Sequence, residues 1–336
     1  MANMRWAWVQ VAATYIASVI GAGFASGREL WQFFGRYGSP GIWGLLVAGI
    51  LFWLGGYLAL EHGRRGVTTV ESLMRTIFPP TLSIWVDRLS GVFLWVGLAV
   101  VVAGGGAVGH AMWNWPVLIG QALTIGLIVL IVAGGVTRVM VANAYLVPYL
   151  IVLAMLVALL GSPPVGHSVM PAHGLGGWLL SALLYVSYNI FTGVVVLLNV
   201  GPTLGNRQGS FMAAGMATLV LTGVGWIELR TIGVRGAIDA LPMLTAANMV
   251  HSVLGKLYGL SLWVALLTTG VAEAYILRSR YGNSVYAGMA GIPILASVGF
   301  EELVATAYPI MGILSAVLWI PLTLSYPRSK SSSSRR

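Results

Sequence analysis

The residues best suited to chemistry in this sequence lie first on one helical face near its start. Gln10, Thr14, Ser18, Gly21 and Ala25 follow one another at steps of four, four, three and four. That spacing places them on one side of an α-helix. Lipid cannot satisfy polar side chains, so this face must contact protein or water. Close helix packing through small residues is an alternative explanation of Thr14 and Ser18.

The same segment contains three glycines within seven residues, at Gly21, Gly23 and Gly27. Glycine weakens a helix, and an interruption leaves backbone N–H and C=O groups without helical partners. Amides at the start of the second half-helix favour an anion, and carbonyls at the end of the first half favour a cation. The pattern predicts an unwound binding site, with plain close packing as the alternative.

Another apolar segment, at about residues 178–200, also carries small and polar residues near its middle. They are Ser181, Tyr185, Tyr188, Asn189, Thr192 and Gly193. A buried asparagine is unfavourable in hydrocarbon unless its amide is paired. We expect Tyr188, Asn189 and Thr192 to contact a substrate where this helix unwinds, between about Asn189 and Gly193. A hydrogen bond between two helices is the alternative.

The apolar segment at about residues 249–278 contains Ala265, Thr268 and Thr269, followed one turn later by Glu273. Hydroxyl and carbonyl oxygens together suit Na⁺, although threonine hydroxyls also bond back to their own helix. An ionisable residue inside a membrane span is a functional hypothesis by default, so Glu273 is a candidate proton site. Its alternative is a salt bridge to Arg278 or Arg280.

Two other carboxylates, Glu29 and Glu228, stand beside arginines in the sequence, at Arg28 and Arg230. We expect both of them near the outer interface of the membrane rather than in its interior.

The composition shows which elements must position these residues. The chain has 336 residues, of which 58% are apolar and 8% charged, and its mean hydropathy is +0.87. Charged residues form about a quarter of a soluble chain, so this is predicted to be an integral membrane protein. The sequence has no cysteine and a net charge of +9. The basic residues follow the positive-inside pattern, which requires no nucleic acid.

Ten apolar segments are predicted to span the bilayer. They cover about residues 6–34, 41–61, 82–113, 116–135, 139–160, 178–200, 211–232, 249–278, 285–300 and 305–325. The sixth segment stands five places after the glycine-interrupted first segment. Transporters built from inverted repeats have broken helices at corresponding positions of their two halves. The predicted fold is all-α, with ten transmembrane helices as 5+5 inverted repeats and broken helices 1 and 6. Residues 1–161 form the first repeat, 162–326 the second, and 327–336 a disordered cytoplasmic tail.

The run Ser18-Val19-Ile20-Gly21-Ala22-Gly23-Phe24-Ala25-Ser26-Gly27-Arg28-Glu29 resembles the first helix of the uncharacterised YkvI-type amino acid permeases. These belong to the amino acid–polyamine–organocation superfamily, which has the LeuT-type fold. The resemblance implies that the amides of Ala22 and Gly23 hold a substrate carboxylate, with Phe24 beside them. It also implies that carbonyls near Val19 and Gly21 meet the amino group.

Sodium-coupled relatives hold their ion between the first and eighth helices. Matched onto this sequence, the resemblance implies a Na⁺ site of Ala17, Ile20, Ala265, Thr268 and Thr269. Some proton-coupled relatives place a lysine of the fifth helix there. Residues 139–160 contain no lysine, which favours Na⁺.

Taken together, these features predict a secondary active transporter for a small solute, an amino acid or small amine, working by alternating access with Na⁺ coupling. The alternatives are proton coupling through Glu273, and a channel or receptor on a transport fold. No nucleophile–base or metal-ligand motif is present, so neither an enzyme nor an organic cofactor is expected. The partners are the small-molecule substrate and the lipid bilayer, in a bacterial cell membrane with both termini cytoplasmic.

Overall fold

The computed structural model describes residues 6–134, 137–161, 177–233 and 239–325, which are helices joined by short connections. The predicted tail therefore lies outside the described residues. The helices are α1 (Ala7–Val19), α2 (Ala22–Ser26), α3 (Arg28–Phe33), α4 (Ser39–Arg64), α5 (Val70–Met74), α6 (Pro80–Trp113), α7 (Val117–Gly134), α8 (Thr137–Leu160), α9 (Gly177–Val200), α10 (Arg207–Ile232), α11 (Pro242–Val250), α12 (Ser252–Tyr281), α13 (Val285–Ala290), α14 (Ile292–Ala296), α15 (Phe300–Ser315) and α16 (Trp319–Leu324).

Within these ranges, seven helices are long and apolar enough to cross a membrane. They are Ser39–Arg64, Ile84–Trp113, Val117–Gly134, Gly177–Thr203, Arg207–Ile232, Ser252–Ala290 and Phe300–Leu324. Large apolar side chains such as Ile50, Leu130 and Leu219 are exposed on the outside of the bundle. A water-facing surface of that kind is unfavourable, and contact with lipid explains it. The chain is an integral membrane protein.

The predicted ten spans are only partly matched by long helices. The first corresponds to the 13-residue α1 followed by two short helices, α2 and α3. The ninth, predicted as one span over residues 285–300, is instead the short helices α13 and α14, which are separated at Gly291. The count of ten stays a prediction.

The helices pack as two groups. The α4 group comprises α1, α4, α9 and α10, and the α6 group comprises α6, α7, α12 and α14. Each group has its own apolar core. Helices α8 and α15 each contact both groups.

The predicted interruption of the sixth span is wrong, because α9 is continuous from Gly177 to Val200. The Asn189 amide donates to the Tyr185 carbonyl (3.0 Å) and the Thr192 hydroxyl to the Asn189 carbonyl (2.9 Å). These polar side chains are thus satisfied by their own helix. Gly193 remains helical and faces α1, where an added Cβ would make an ordinary contact 3.5 Å from the Ser18 hydroxyl.

Candidate functional site

The first span is interrupted where the glycines predict it. Helix α1 ends at Val19, Ile20 and Gly21 leave the helical conformation, and α2 starts at Ala22. The Gly21 amide donates to the Val19 carbonyl (2.9 Å), so the Ala17 carbonyl loses the donor that a continuous helix would supply. A second turn at Gly27, with a left-handed φ of 77°, separates α2 from α3. Glycine suits that conformation because it has no Cβ.

The interrupted segment lies between the two helix groups. Ala22 and Ala25 belong to the apolar core of the α6 group, whereas Phe24 and Phe33 belong to that of the α4 group. The Tyr258 hydroxyl of α12 donates to the Ala25 carbonyl at 2.6 Å. On the other side, the Ser181 hydroxyl of α9 donates to the Phe33 carbonyl at 2.8 Å. Helices α2 and α3 are therefore held by both groups.

Glu29 lies inside this segment, which corrects its predicted place near the outer interface. The residue is 3% exposed. Its Oε2 is 2.5 Å from the point where a Cβ on Gly23 would stand, and the ring and hydroxyl of Tyr308 are 3.3 Å from the same point. The Asn189 amide hydrogen-bonds the Glu29 carboxylate. Gly23 thus makes room for a carboxylate of its own chain.

Arg28 turns away from Glu29 and pairs with Glu301 of α15, with 2.6 Å between Nη2 and Oε1. It also donates to the Asp239 carbonyl at 3.4 Å. Successive residues on a helix point in different directions, which explains why neighbours in sequence have different surroundings here. Beside Glu301 lies a cavity of about 540 Å³, which is called the vestibule below. Its lining includes His110, Asp239, Glu301 and Glu302.

Glu228 of α10 is also buried, at 2% exposure, so its predicted interfacial position is wrong as well. It lies within electrostatic range of Glu29, and Tyr185 lies within range of both carboxylates. Glu29 Oε1 and Glu228 Oε2 are buried and have no hydrogen-bond partner among the residues that the structure describes. The interior of this region is therefore acidic.

Aromatic rings stand beside the acidic groups. The Tyr188 ring is stacked with Phe33 at 5.8 Å between centroids and packs against Tyr308 at 4.8 Å. Tyr188 and Asn189, both predicted to be site residues, thus lie next to Glu29 and the interruption. Thr192 is exposed one turn further along α9. Gly21 is bordered by open space, since an added Cβ there would meet no atom within 4 Å.

The predicted cation ligands are brought together in part. The Thr268 and Thr269 hydroxyls both donate to the Ala265 carbonyl, at 3.0 and 2.9 Å, so three oxygens share one turn of α12. Helix α12 packs against α2. Ala17 lies in the last turn of α1 and Ile20 in the interruption itself. Val19 and Ile20 are buried in the core of the α4 group.

Glu273 lies one turn beyond Thr269, and its Oε1 occupies the place that a side chain on Gly97 of α6 would fill. Its Oε2 is buried, and no atom in the described part of the chain forms a hydrogen bond with it. Arg278 donates to the Val132 carbonyl and Arg280 to the Ser90 hydroxyl. The two arginines therefore have other acceptors than Glu273.

Sequence reasoning missed Glu29, Glu228 and Tyr308. The signal was available for the carboxylates, because the chain has only nine acidic residues and both lie within apolar segments. An intramembrane carboxylate is a functional candidate by default. For Tyr308 the sequence gives no comparable signal, since a tyrosine in a span is most often a packing residue.

The arrangement of helices is that of a known class of membrane transporters. The chain resembles the inward-facing conformation of Mhp1, a LeuT-fold transporter, with a TM-score of 0.60 and 14% identity over 93% of this chain and 75% of that one. A manganese transporter of Eremococcus coleocola matches with a TM-score of 0.54 and 14% identity, over 94% and 78% of the two chains. The chain has a membrane transporter fold of the LeuT type.

Two curated relatives come from Bacillus subtilis (strain 168). The uncharacterized membrane protein YkvI is 28% identical over 356 residues, covering 96% of this chain and 97% of the relative. The uncharacterized protein YyaD is 26% identical over 340 residues, covering 97% of each chain. No protein-family model matches the sequence.

Proposed function

We propose that the chain is a secondary active transporter of the amino acid–polyamine–organocation superfamily. It moves an amino acid or a small amine by alternating access, in a bacterial cell membrane with both termini in the cytoplasm. The substrate binds at the interruption of the first span, beside Gly21, Gly23 and Asn189.

One observation carries this proposal: the interrupted segment lies between two separately packed helix groups and is bonded to both. In transporters with inverted repeats, broken helices hold substrate at the repeat interface, and one bundle rocks against the other around the site. A segment held from both sides is well placed to transmit such a movement. The transporter fold supports the same class of function.

Na⁺ is the proposed coupling ion. Hard cations prefer oxygen ligands, and Ala265, Thr268 and Thr269 supply three oxygens on one turn. Both threonine hydroxyls donate to the Ala265 carbonyl, which keeps the three oxygens on one side of α12. The Ala17 carbonyl has lost its helical donor and, with that of Ile20, would complete the set.

Uptake into proteoliposomes tests this coupling. We expect an inward Na⁺ gradient to drive concentrative uptake, and Thr268→Ala with Thr269→Ala to raise the half-saturating Na⁺ concentration at least tenfold. Thr306→Ala is the matched control, because the exposed Thr306 hydroxyl also bonds to its own helix, at 2.7 Å from the Glu302 carbonyl. Equal Na⁺ dependence in both variants would contradict the proposed ion site.

Proton coupling is the second candidate, because Glu273 holds a buried oxygen without a partner. It predicts uptake driven by a pH gradient without Na⁺, and loss of that uptake in Glu273→Gln. The Na⁺ mechanism predicts that Glu273→Gln keeps its Na⁺ dependence. A channel would only equilibrate the solute and a receptor would move none, so concentrative uptake excludes both.

A further inference from the structure

The acidic groups at the interruption indicate which solutes the proposed transporter accepts. We infer that the substrate is an organic amine that has no carboxylate, with its ammonium bound by Glu29 against the Tyr308 ring and attracted by the charge of Glu228. This inference rests on the proposed function and narrows its substrate class. It differs from the binding mode implied by the sequence resemblance, in which backbone amides hold a substrate carboxylate.

Two buried carboxylates in this region lack a compensating positive charge. Glu29 and Glu228 are 3% and 2% exposed, and each has an oxygen without a hydrogen-bond partner. In the described part of the chain, the salt bridges do not involve either residue. Burying an unpaired carboxylate is strongly unfavourable. A bound ammonium supplies the missing positive charge and up to three N–H donors.

A substrate carboxylate would have to bind to the backbone amides of Ala22 and Gly23. Glu29 Oε2 already lies against Gly23. Two carboxylates this close repel each other, and burial strengthens the repulsion. The site therefore disfavours amino acids relative to their decarboxylated amines.

The Tyr308 ring also favours a bound cation. The Tyr308 ring lies beside the same Gly23 position as the Glu29 carboxylate, and it packs on Tyr188. Ammonium groups are attracted to the faces of tyrosine rings, most strongly when desolvated. Open space beside Gly21 gives a small cation room to enter.

The vestibule is an independent observation that agrees with a cation. Asp239, Glu301 and Glu302 contribute to its lining. A cleft lined by one sign of charge concentrates ions of the opposite sign. Because Arg28 pairs with Glu301, Asp239 and Glu302 supply the remaining negative charge of the vestibule, and this charge has the same sign as that of Glu29 and Glu228.

Thermal-shift measurements on the purified full-length protein test the inference. The probes are two amines and their amino acid counterparts, putrescine with ornithine and tyramine with tyrosine. We expect at least one amine to raise the Tm through binding to the folded state, and its amino acid to leave the Tm unchanged at the same concentration. Equal stabilisation by amine and amino acid, or no shift with any of the four, would overturn the inference.

Variants locate the binding. Glu29→Gln and Glu228→Gln should each weaken amine binding at least tenfold, whereas Glu71→Gln, at an exposed and remote carboxylate, should leave it unchanged. Tyr308→Phe keeps the ring and should bind, and Tyr308→Leu should bind more weakly. Wild-type affinity in both glutamine variants would overturn the assignment. If Glu29→Gln does not fold, Glu228→Gln and the Tyr308 pair still decide it.

Uptake separates this inference from the proposed function. Na⁺-driven accumulation of ornithine or tyrosine would support the transporter and contradict the amine specificity. Amine binding that depends on Glu29, without any concentrative uptake, would keep the amine site and contradict secondary transport.

Discussion

The two helix groups share one kind of contact and differ in another. In the α6 group, α6 and α7 approach through glycines: a Cβ on Gly120 would stand 2.8 Å from the Gly105 carbonyl oxygen and 2.9 Å from the Gly106 Cα. In the α4 group, α4 and α9 meet in the same way, because a Cβ on Gly63 would stand against the Leu198 backbone. Helix α1 is joined to α4 differently, through the Tyr15 hydroxyl, which donates to the Phe52 carbonyl at 2.7 Å. We call the closely packed α6–α7 pair the frame.

The interrupted segment differs from both groups, because its polar atoms bond outward to each of them. Its short helices α2 and α3 have few internal hydrogen bonds, so their position depends on these contacts. The four substitutions below change the frame, the interruption, the contact between the segment and the α6 group, and the bond between the segment and α15.

The largest effect is expected within the α6 group, from Gly120→Leu. The new side chain meets backbone atoms of α6, which have no rotamer to change, so overpacking should destabilise the protein by about 3 kcal/mol or more. Its Tm in detergent should fall sharply. Gly126→Leu on the same helix is the control, since a Cβ there meets no atom within 4 Å. Similar Tm values for the two variants would show that the frame is not tightly packed.

Gly23→Ala should have the next largest effect. Its Cβ would stand 2.5 Å from Glu29 Oε2, so the carboxylate must move, at about 1–3 kcal/mol of stability and at least a tenfold loss of amine binding. Gly223→Ala on α10, at an exposed glycine where a Cβ would meet no atom within 4 Å, should fold normally and keep the binding. Isothermal titration of both variants checks this, and equal affinities would contradict the close contact.

Tyr258→Phe removes the hydrogen bond that joins α12 to the Ala25 carbonyl. Losing one such bond costs about 1 kcal/mol, and hydrogen exchange of α2 amides should become faster. Tyr275→Phe on the same helix, at a residue that is 49% exposed, is the control. Unchanged exchange in Tyr258→Phe would mean that the α6 group does not restrain the segment.

The smallest effect is expected from Glu301→Gln. Glutamine still accepts a hydrogen bond from Arg28, and the Glu301 side chain is 44% exposed, so the loss should be about 0.5 kcal/mol. The difference in Tm from wild type should shrink further at high salt, because exposed charges are screened. Glu302→Gln, at an exposed neighbour within electrostatic range of Arg28, should lower the Tm by less than Glu301→Gln. A difference that is insensitive to salt would argue against an ion pair.

The sequence predicted the membrane class because this depends on composition. It also predicted the first interruption, since the glycines near Gly21 weaken the helix there. Glycine content alone does not decide the outcome, because Gly104, Gly105 and Gly106 lie within the continuous helix α6. The predicted interruption of the sixth span was wrong because the same polar residues can be satisfied in two ways. Asn189 and Thr192 bond to carbonyls of α9, and the sequence does not distinguish that outcome from unwinding.

The positions of Glu29 and Arg28 could not be predicted from their neighbourhood in the sequence. The left-handed turn at Gly27 sets the direction of α3, and that direction sends Arg28 to Glu301 and Glu29 to Gly23. The partner Glu301 is 273 positions away, so its choice depends on tertiary packing. Local patterns carry no information on such a pairing.

The contact between Gly23 and Glu29 also constrains how the sequence can diverge during evolution. A side chain at position 23 and the Glu29 carboxylate in its present position occupy the same volume, so a change at one position affects the other. An alanine at position 23 forces the Glu29 carboxylate to move, and a shorter side chain at position 29, such as aspartate, removes that conflict. Among descendants of a common ancestor, glycine at 23 should therefore covary with glutamate at 29.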